Sequence, residues 1–468
     1  MNTSDIEQLR ADLGTITTIT DEARRKGKSR DFYWYSPVLK DQLDGVCADL
    51  VVMPADEAEI VAILKACYRR RIPVTVRGAG TGNYGQAMPL RGGVVLDLTR
   101  LERILRIEPG RARAATGAKL VDVEQATREQ SGQELRMHPS TIRSATIGGF
   151  ICGGSGGVGS ITWGGLRDRG NVLGVRVITM EATPRVLELR GDDVQKVIHA
   201  YGTTGVVTEV EVALAPAQRW IDVALGFDDF ATAARFCHVL GCQDALLKKL
   251  LTLVAAPIAQ RYLRPFGGLV REGQHVVMTM IAPLAMEAFE SLLAGWPASV
   301  LYRSDRPDAP TTLPIYEFAW NHTTMHALRV DRSTTYHQVL YPAPEHVASA
   351  VRMFERLHDD VSHHLEFVRF DGQIACYGLP LIRFTTEARL REIEQTFESE
   401  GCATFDPHVV TLEGGGMKRV DPVQLAFKRE ADPLGLLNPG KMIAWDDPDY
   451  DATQSRLHLF PAAGVAQG

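Results

Sequence analysis

Between His138 and Val175 the chain holds eleven glycines, and apolar residues interrupt them throughout: Ile147, Phe150, Ile151, Val158, Ile161, Trp163 and Leu166. A solvated glycine-rich linker lacks such punctuation. Glycine beside buried apolar residues marks backbone that approaches something closely, often a flat ligand. The fold must therefore bury a long run of nearly side-chain-free backbone.

A second glycine loop lies upstream. Leu50–Met53 reads as a short strand ended by Pro54. Asp56 can cap a helix whose apolar positions, Ile60, Ile63, Leu64 and Cys67, recur with a period near 3.6. The β-branched run 72–76 reads as a strand leading into Gly80-Thr81-Gly82-Asn83-Tyr84-Gly85. This loop fits G-x-G-x-x-G, and Asp97 closes the next strand, as a nicotinamide-binding turn would require. The required context fails. A Rossmann fingerprint opens a helix, and the intervening QAMPLRGG holds a proline and two glycines and is too short for one. The loop reads better as a nest of inward N–H groups suited to pyrophosphate, with Arg77 adding positive charge.

Elsewhere, residues 2–27 read as one polar helix, followed by the aromatic cluster Phe32, Tyr33, Trp34 and Tyr35. Residues 94–101 read as a strand, and VRVITM and VLELR as a strand pair turning at Thr183–Pro184. Residues 205–216 alternate as a strand should. From Trp220 amphipathic helices alternate with short strands, a separate α+β domain. The polar tail after about 446 is expected to be peripheral. The formal net charge of −6 argues against a nucleic-acid partner. No apolar run is long enough for a membrane span, and the N-terminus lacks a signal core. The seven cysteines form no C-x-x-C pair, which fits a reducing cytoplasm.

Four motifs, in order, resemble the vanillyl-alcohol oxidase / p-cresol methylhydroxylase (PCMH) family of FAD-linked oxidases. They are Arg77-Gly78-Ala79-Gly80-Thr81-Gly82; Pro139-Ser140 with Ala145-Thr146-Ile147-Gly148-Gly149; Tyr201-Gly202-Thr203-Thr204-Gly205-Val206-Val207-Thr208; and Asp432 to Lys441, DPLGLLNPGK. The resemblance covers about 50–215 and 430–443. It implies an α+β fold: a two-part PCMH-type FAD-binding domain (1–217), a cap with an antiparallel sheet (218–420), and a C-terminal segment (421–468) returning to the first domain. The 77–82 loop would hold the diphosphate. Residues 140–149 would run along diphosphate and isoalloxazine, and the strand from Gly205 would reach adenine and ribose. Asn438 and Lys441 would pack on the flavin domain. Some members tether FAD through a histidine near these loops; Thr81 stands at that position, so noncovalent FAD is expected.

The nearest subgroup resembles the D-2-hydroxy-acid dehydrogenases, whose cap carries H-x-G-D-G-N-x-H and a later Glu-His-Gly. Here Val368 and Ala375 replace both histidines of the first motif, and Gly414 follows Glu413 where the second has its base. Without imidazoles that metal site is poorly supported, and no metal is expected. The segment 317–331 mixes aromatic, imidazole and guanidinium groups, and on a helix His322 and His326 share a face. Oxidising an alcohol on flavin needs a base near the hydroxyl. The candidates are His322, His326 and His408, then Tyr336 and Tyr377, with Arg329 or Arg369 to grip a carboxylate. His363 and His364 read as a solvated helix end or strand edge.

The expected function is hydride transfer from an alcohol or 2-hydroxy acid to flavin, with electrons passing to oxygen, a quinone or a carrier protein. A homodimer is left open. The alternatives are a redox-neutral or reductive flavoenzyme, as in the alkyl-dihydroxyacetone-phosphate synthases, or a noncatalytic FAD-binding subunit.

Overall fold

The computed structural model describes residues 3–307, 309, 314–415 and 422–450. The first sheet has strand order Thr17–Ile19, Leu50–Met53, Val94–Asp97, Val74–Arg77. The last three run parallel, and the helix Glu57–Arg69 crosses between two of them. Its N-cap is Asp56, which accepts from Glu59 N at 2.9 Å, and Ile60, Ile63, Leu64 and Cys67 are all buried. Residues 78–93 contain no helix, so the glycine loop runs directly toward the neighbouring parallel strand. Asp97 is fully buried and pairs with Lys28 at 2.7 Å, which removes it as a ribose acceptor.

The second sheet centres on Val206–Pro216. That strand pairs antiparallel with Arg111–Ala115, with Val172–Ile178 and, near its end, with Gln133–Leu135. Val172–Ile178 also pairs with Val186–Arg190 across the expected turn.

The third sheet has eight strands, all antiparallel, in the order Ser299–Arg303, Ile221–Phe227, His275–Ile281, Lys248–Val254, His364–Phe370, Gln373–Gly378, Gln338–Tyr341, Ala403–Phe405. Its side chains alternate between two cores. Val223, Leu225 and Phe227 pack with the helices Phe230–Cys242 and Glu387–Ser399, through Phe236 and Phe397. Ala224, Val276 and Met278 pack on the other side with Ile258, Phe266 and Phe318. Both faces are covered, so these strands read as continuous apolar runs rather than clean alternation.

Two local expectations are corrected. The N-terminal 2–27 helix is broken: a helix spans Thr3–Leu13, a strand Thr17–Ile19 and a second helix Glu22–Lys28. Gly14, at φ +58°, ends the first helix, and the β-branched run TITTIT then favours pairing with Leu50–Met53. His363 and His364 are fully buried rather than solvated. The neighbouring antiparallel strand Lys248–Val254 and the helices above it cover this edge.

Candidate active site

The main cavity opens where the first two sheets meet the cap. Its floor is backbone from 77–82, 139–141, 148–149 and 152–156, with Val76, Leu98 and Val207 supplying apolar wall. Its far end is Trp320, Asn321, His322, Gln338, Tyr377 and Phe405 from the cap.

The glycines here serve the interlocking of the loops. A Cβ on Gly78 would meet Thr146 Oγ1 at 2.2 Å, and one on Gly148 would meet Thr116 Oγ1 at 1.7 Å. Thr146 is thus wedged against the first loop while its hydroxyl accepts from Gly149 N at 3.3 Å, capping the helix Ile147–Gly153. At these positions the closest approach is protein to protein, so the backbone-lined cavity follows from how the loops pack on each other.

Thirteen of the seventeen candidate cofactor residues line the cavity: Arg77, Gly78, Ala79, Gly80, Thr81, Gly82, Pro139, Ser140, Thr146, Gly148, Gly149, Gly205 and Val207. Ile147 and Val206 do not. Each sits one position from a lining residue and faces a core instead, Ile147 toward Leu120 and Phe150, Val206 toward Leu50 and Val74. Arg77 lines the cavity, but its guanidinium turns inward. It donates to the carbonyls of Gly78 at 2.7 Å, Ala79 at 3.0 Å and Arg30 at 3.3 Å, and lies 3.6 Å from Asp97. It clamps the loop rather than offering charge to a ligand.

Asn438 and Lys441 also act from behind. Asn438 Nδ2 donates to Gln86 O at 2.9 Å and Tyr201 O at 2.6 Å, and Lys441 Nζ donates to Gly85 O. The C-terminal segment therefore ties the first glycine loop to the 201–205 turn. Burial pushes the Asp31 carboxyl up and the Lys441 ammonium down, and their opposite charges hold the two groups together against that burial.

At the cap end, His322 is buried and places Nδ1 2.9 Å from Glu317 Oε2. Arg143 reaches the other Glu317 oxygen at 3.1 Å. Burial pushes the Glu317 carboxyl up, but the adjoining His322 and Arg143 outweigh it and hold it below the usual carboxylate range. Tyr377 lines the cavity, its phenol pushed up by burial. The helix Asn321–Val330 that carries His322 starts from Trp320, a non-glycine residue at φ +51°. That conformation is held by a buried carboxylate: Trp320 N donates to Glu366 Oε1 at 2.6 Å, while His364 Nε2 lies 2.8 Å from the same oxygen. Thr252 donates to the other oxygen at 2.6 Å.

Four of the six catalytic candidates lie away from the cavity. His326 Nε2 donates to the Glu317 carbonyl at 3.1 Å, and its ring stacks on Phe318. Arg329 is exposed at the end of its helix. Tyr336 is buried beneath the lining, its hydroxyl accepting from Asn83 Nδ2 at 2.6 Å. His408 is buried against Ser36, Oγ to Nδ1 2.7 Å. Arg369 is occupied by Asp244 at the surface. Sequence reading missed Glu317, Asn321, Gln338, Tyr84 and His199 as site residues; the first two lay in the segment singled out and Tyr84 in the first glycine loop, while Gln338 and His199 carry no motif.

The lost metal positions are explicit. Val368 and Ala375 are cross-strand partners in the His364–Phe370 and Gln373–Gly378 hairpin, both buried. Glu413 accepts from Ile443 N at 2.9 Å and caps that short helix. Gly416 to Lys418, the rest of the quoted segment, and the tail after residue 450 lie outside the described residues.

Residues 48–189 match the family model described as an FAD binding domain. The glycolate oxidase subunit GlcD of Escherichia coli K12 is 35% identical over 175 residues, 36% of this chain and 34% of the relative. The D-lactate dehydrogenase of Anaerostipes hadrus is 28% identical over 183 residues, 36% of this chain and 37% of the relative. The mitochondrial D-2-hydroxyglutarate dehydrogenase of Rattus norvegicus is 26% identical over 204 residues, 41% and 38%. These matches span about a third of each relative's length. A solved structure of alkyldihydroxyacetonephosphate synthase superposes with a TM-score of 0.69 at 14% identity, covering 94% of this chain and 85% of that one. Residues 48–189 thus form an FAD-binding domain, and the chain as a whole shares the fold of the alkyldihydroxyacetonephosphate synthase structure. FAD is its cofactor, carried by a domain that includes residues 48–189.

Proposed function

We propose that this protein is an FAD-dependent oxidoreductase acting on the CH–OH group of a 2-hydroxy acid or related alcohol. The observation that carries the reading is the lining of one cavity by the glycine loops at one end and by His322, backed by Glu317, at the other. FAD supplies the hydride acceptor at N5 when bound. The N–H groups of 78–82 would hold its diphosphate, and Val207 and Gly205 would flank the nucleotide end. Glu317, held below the usual carboxylate range, lies 2.9 Å from His322 Nδ1 and favours the proton on that nitrogen, which would leave Nε2 as the base. His322 then takes the hydroxyl proton while Asn321 and Gln338 orient the substrate's polar groups. Electrons leave to oxygen, a quinone or a carrier protein.

The loss of imidazoles at 368, 375 and 414 favours one second reading, redox-neutral chemistry in the same cavity. An anaerobic visible spectrum separates the two. Bleaching of the flavin by one member of a panel of D- and L-2-hydroxy acids and aromatic alcohols supports the oxidoreductase. A flavin that none of them reduces moves the weight to the second reading.

A further inference from the structure

Behind the cavity wall, three metal-ligating side chains converge. His337 precedes the strand Gln338–Tyr341, and Asp406 follows the strand Ala403–Phe405; the pairing Gln338↔Phe405 brings the two residues side by side. His408 comes one turn later. One ligating atom from each of the three lies within 4.8 Å of the others. None of them lines the flavin cavity, although their neighbours Gln338 and Phe405 do.

We propose that His337, Asp406 and His408 form a binding site for a divalent transition-metal ion of the zinc class. Two imidazoles and a carboxylate are a borderline donor set suited to such an ion. The outward nitrogens are already engaged as metal-ligating histidines engage theirs: His337 Nε2 lies 3.3 Å from the Leu390 carbonyl, and His408 Nδ1 lies 2.7 Å from Ser36 Oγ. The inward nitrogens, His337 Nδ1 and His408 Nε2, are buried without a hydrogen-bond partner. Two imidazoles on one tetrahedral zinc, through bonds of about 2.0–2.1 Å, hold their ring centroids about 5 Å apart. Here the centroids are 5.2 Å apart, with the rings at 77°. Asp406 is only half-buried, which leaves an entry path for the ion and for a water at the fourth position. The site differs from positions 368, 375 and 414, and it would tie the Ser36 turn to the cap.

The test uses the FAD-loaded full chain, purified without a histidine tag and stripped with a chelator. Titrated with Zn2+, it is expected to take up about one ion per chain with a rise in Tm; Co2+ in its place is expected to give tetrahedral d–d absorption to the red of the flavin. His408→Gln and Asp406→Asn should abolish uptake. Should either fail to fold, Ser36→Ala removes only the hydroxyl behind His408 and should weaken Zn2+ on the order of ten- to a hundred-fold. Stripped wild-type chain that takes up neither ion overturns the proposal. So does uptake unchanged in all three variants. Neither readout depends on turnover, so failure here leaves the oxidoreductase reading intact.

Discussion

His322 is the side chain on which the chemistry turns. His322→Gln keeps the size and one hydrogen-bonding atom but removes the base. Flavin content should stay unchanged while the rate of anaerobic flavin reduction falls roughly a hundred- to ten-thousand-fold; a smaller loss would assign the base elsewhere. Arg77 teaches a different lesson. Its charge looked like a diphosphate ligand, yet it is spent on three carbonyls of the chain itself. Arg77→Glu should therefore strip FAD by opening the loop, and Arg77→Lys, which cannot bridge the same carbonyls, should weaken FAD as well. His363 contributes to acid stability. It is fully buried among Phe230, Phe354 and Phe397, and burial pushes it down to about 4. Between about pH 4 and 6.5 the unfolded chain binds this proton and the folded chain does not, so stability is present above 6.5 and lost as pH falls toward 4. The loss is on the order of 3 kcal/mol. His363→Phe should flatten that limb of a urea-denaturation series, and an unchanged slope would show that another group dominates.

At the scale of elements, the sequence was most readable where one local signal decided the outcome. The Asp56 cap and its apolar stripe, the Thr183–Pro184 turn and the glycine loops were all legible. The interlock was not: no pattern in the chain says that Thr116, Thr146 and Gly148 meet, because their contact joins a strand to a loop some thirty residues away. Likewise Gln338 and His199 enter the site through tertiary packing alone. His363 and His364 were misread because a strand edge is exposed or buried according to what pairs with it. Two substitutions probe these couplings. Gly148→Ala forces a methyl into Thr116 and should cost about 1–3 kcal/mol with loss of bound flavin, checked by denaturation and the absorbance ratio. Glu366→Ala leaves Trp320 N, Thr252 and His364 without their acceptor. It should destabilise by about 3–5 kcal/mol, and where it still folds, flavin reduction should slow although no cavity side chain has changed.

Across the whole molecule, the cavity is built jointly by the flavin-binding sheets and the cap, with the C-terminal Asn438 and Lys441 bracing the loop from behind. Flavin release and unfolding of the cap should therefore coincide on heating, read by flavin fluorescence and far-ultraviolet circular dichroism. Flavin release well below the cap transition would separate the two. Among the described residues no helix is long and apolar enough to cross a membrane.

The wedge formed by Thr146 between Gly78 and Gly149 carries a final consequence. A lining held open by its own backbone contacts keeps its shape when emptied, so the apoprotein is a mould already cast. Once emptied, the protein should then take up flavin analogues with altered ring chemistry on simple addition, making the redox potential of this scaffold adjustable from outside its sequence.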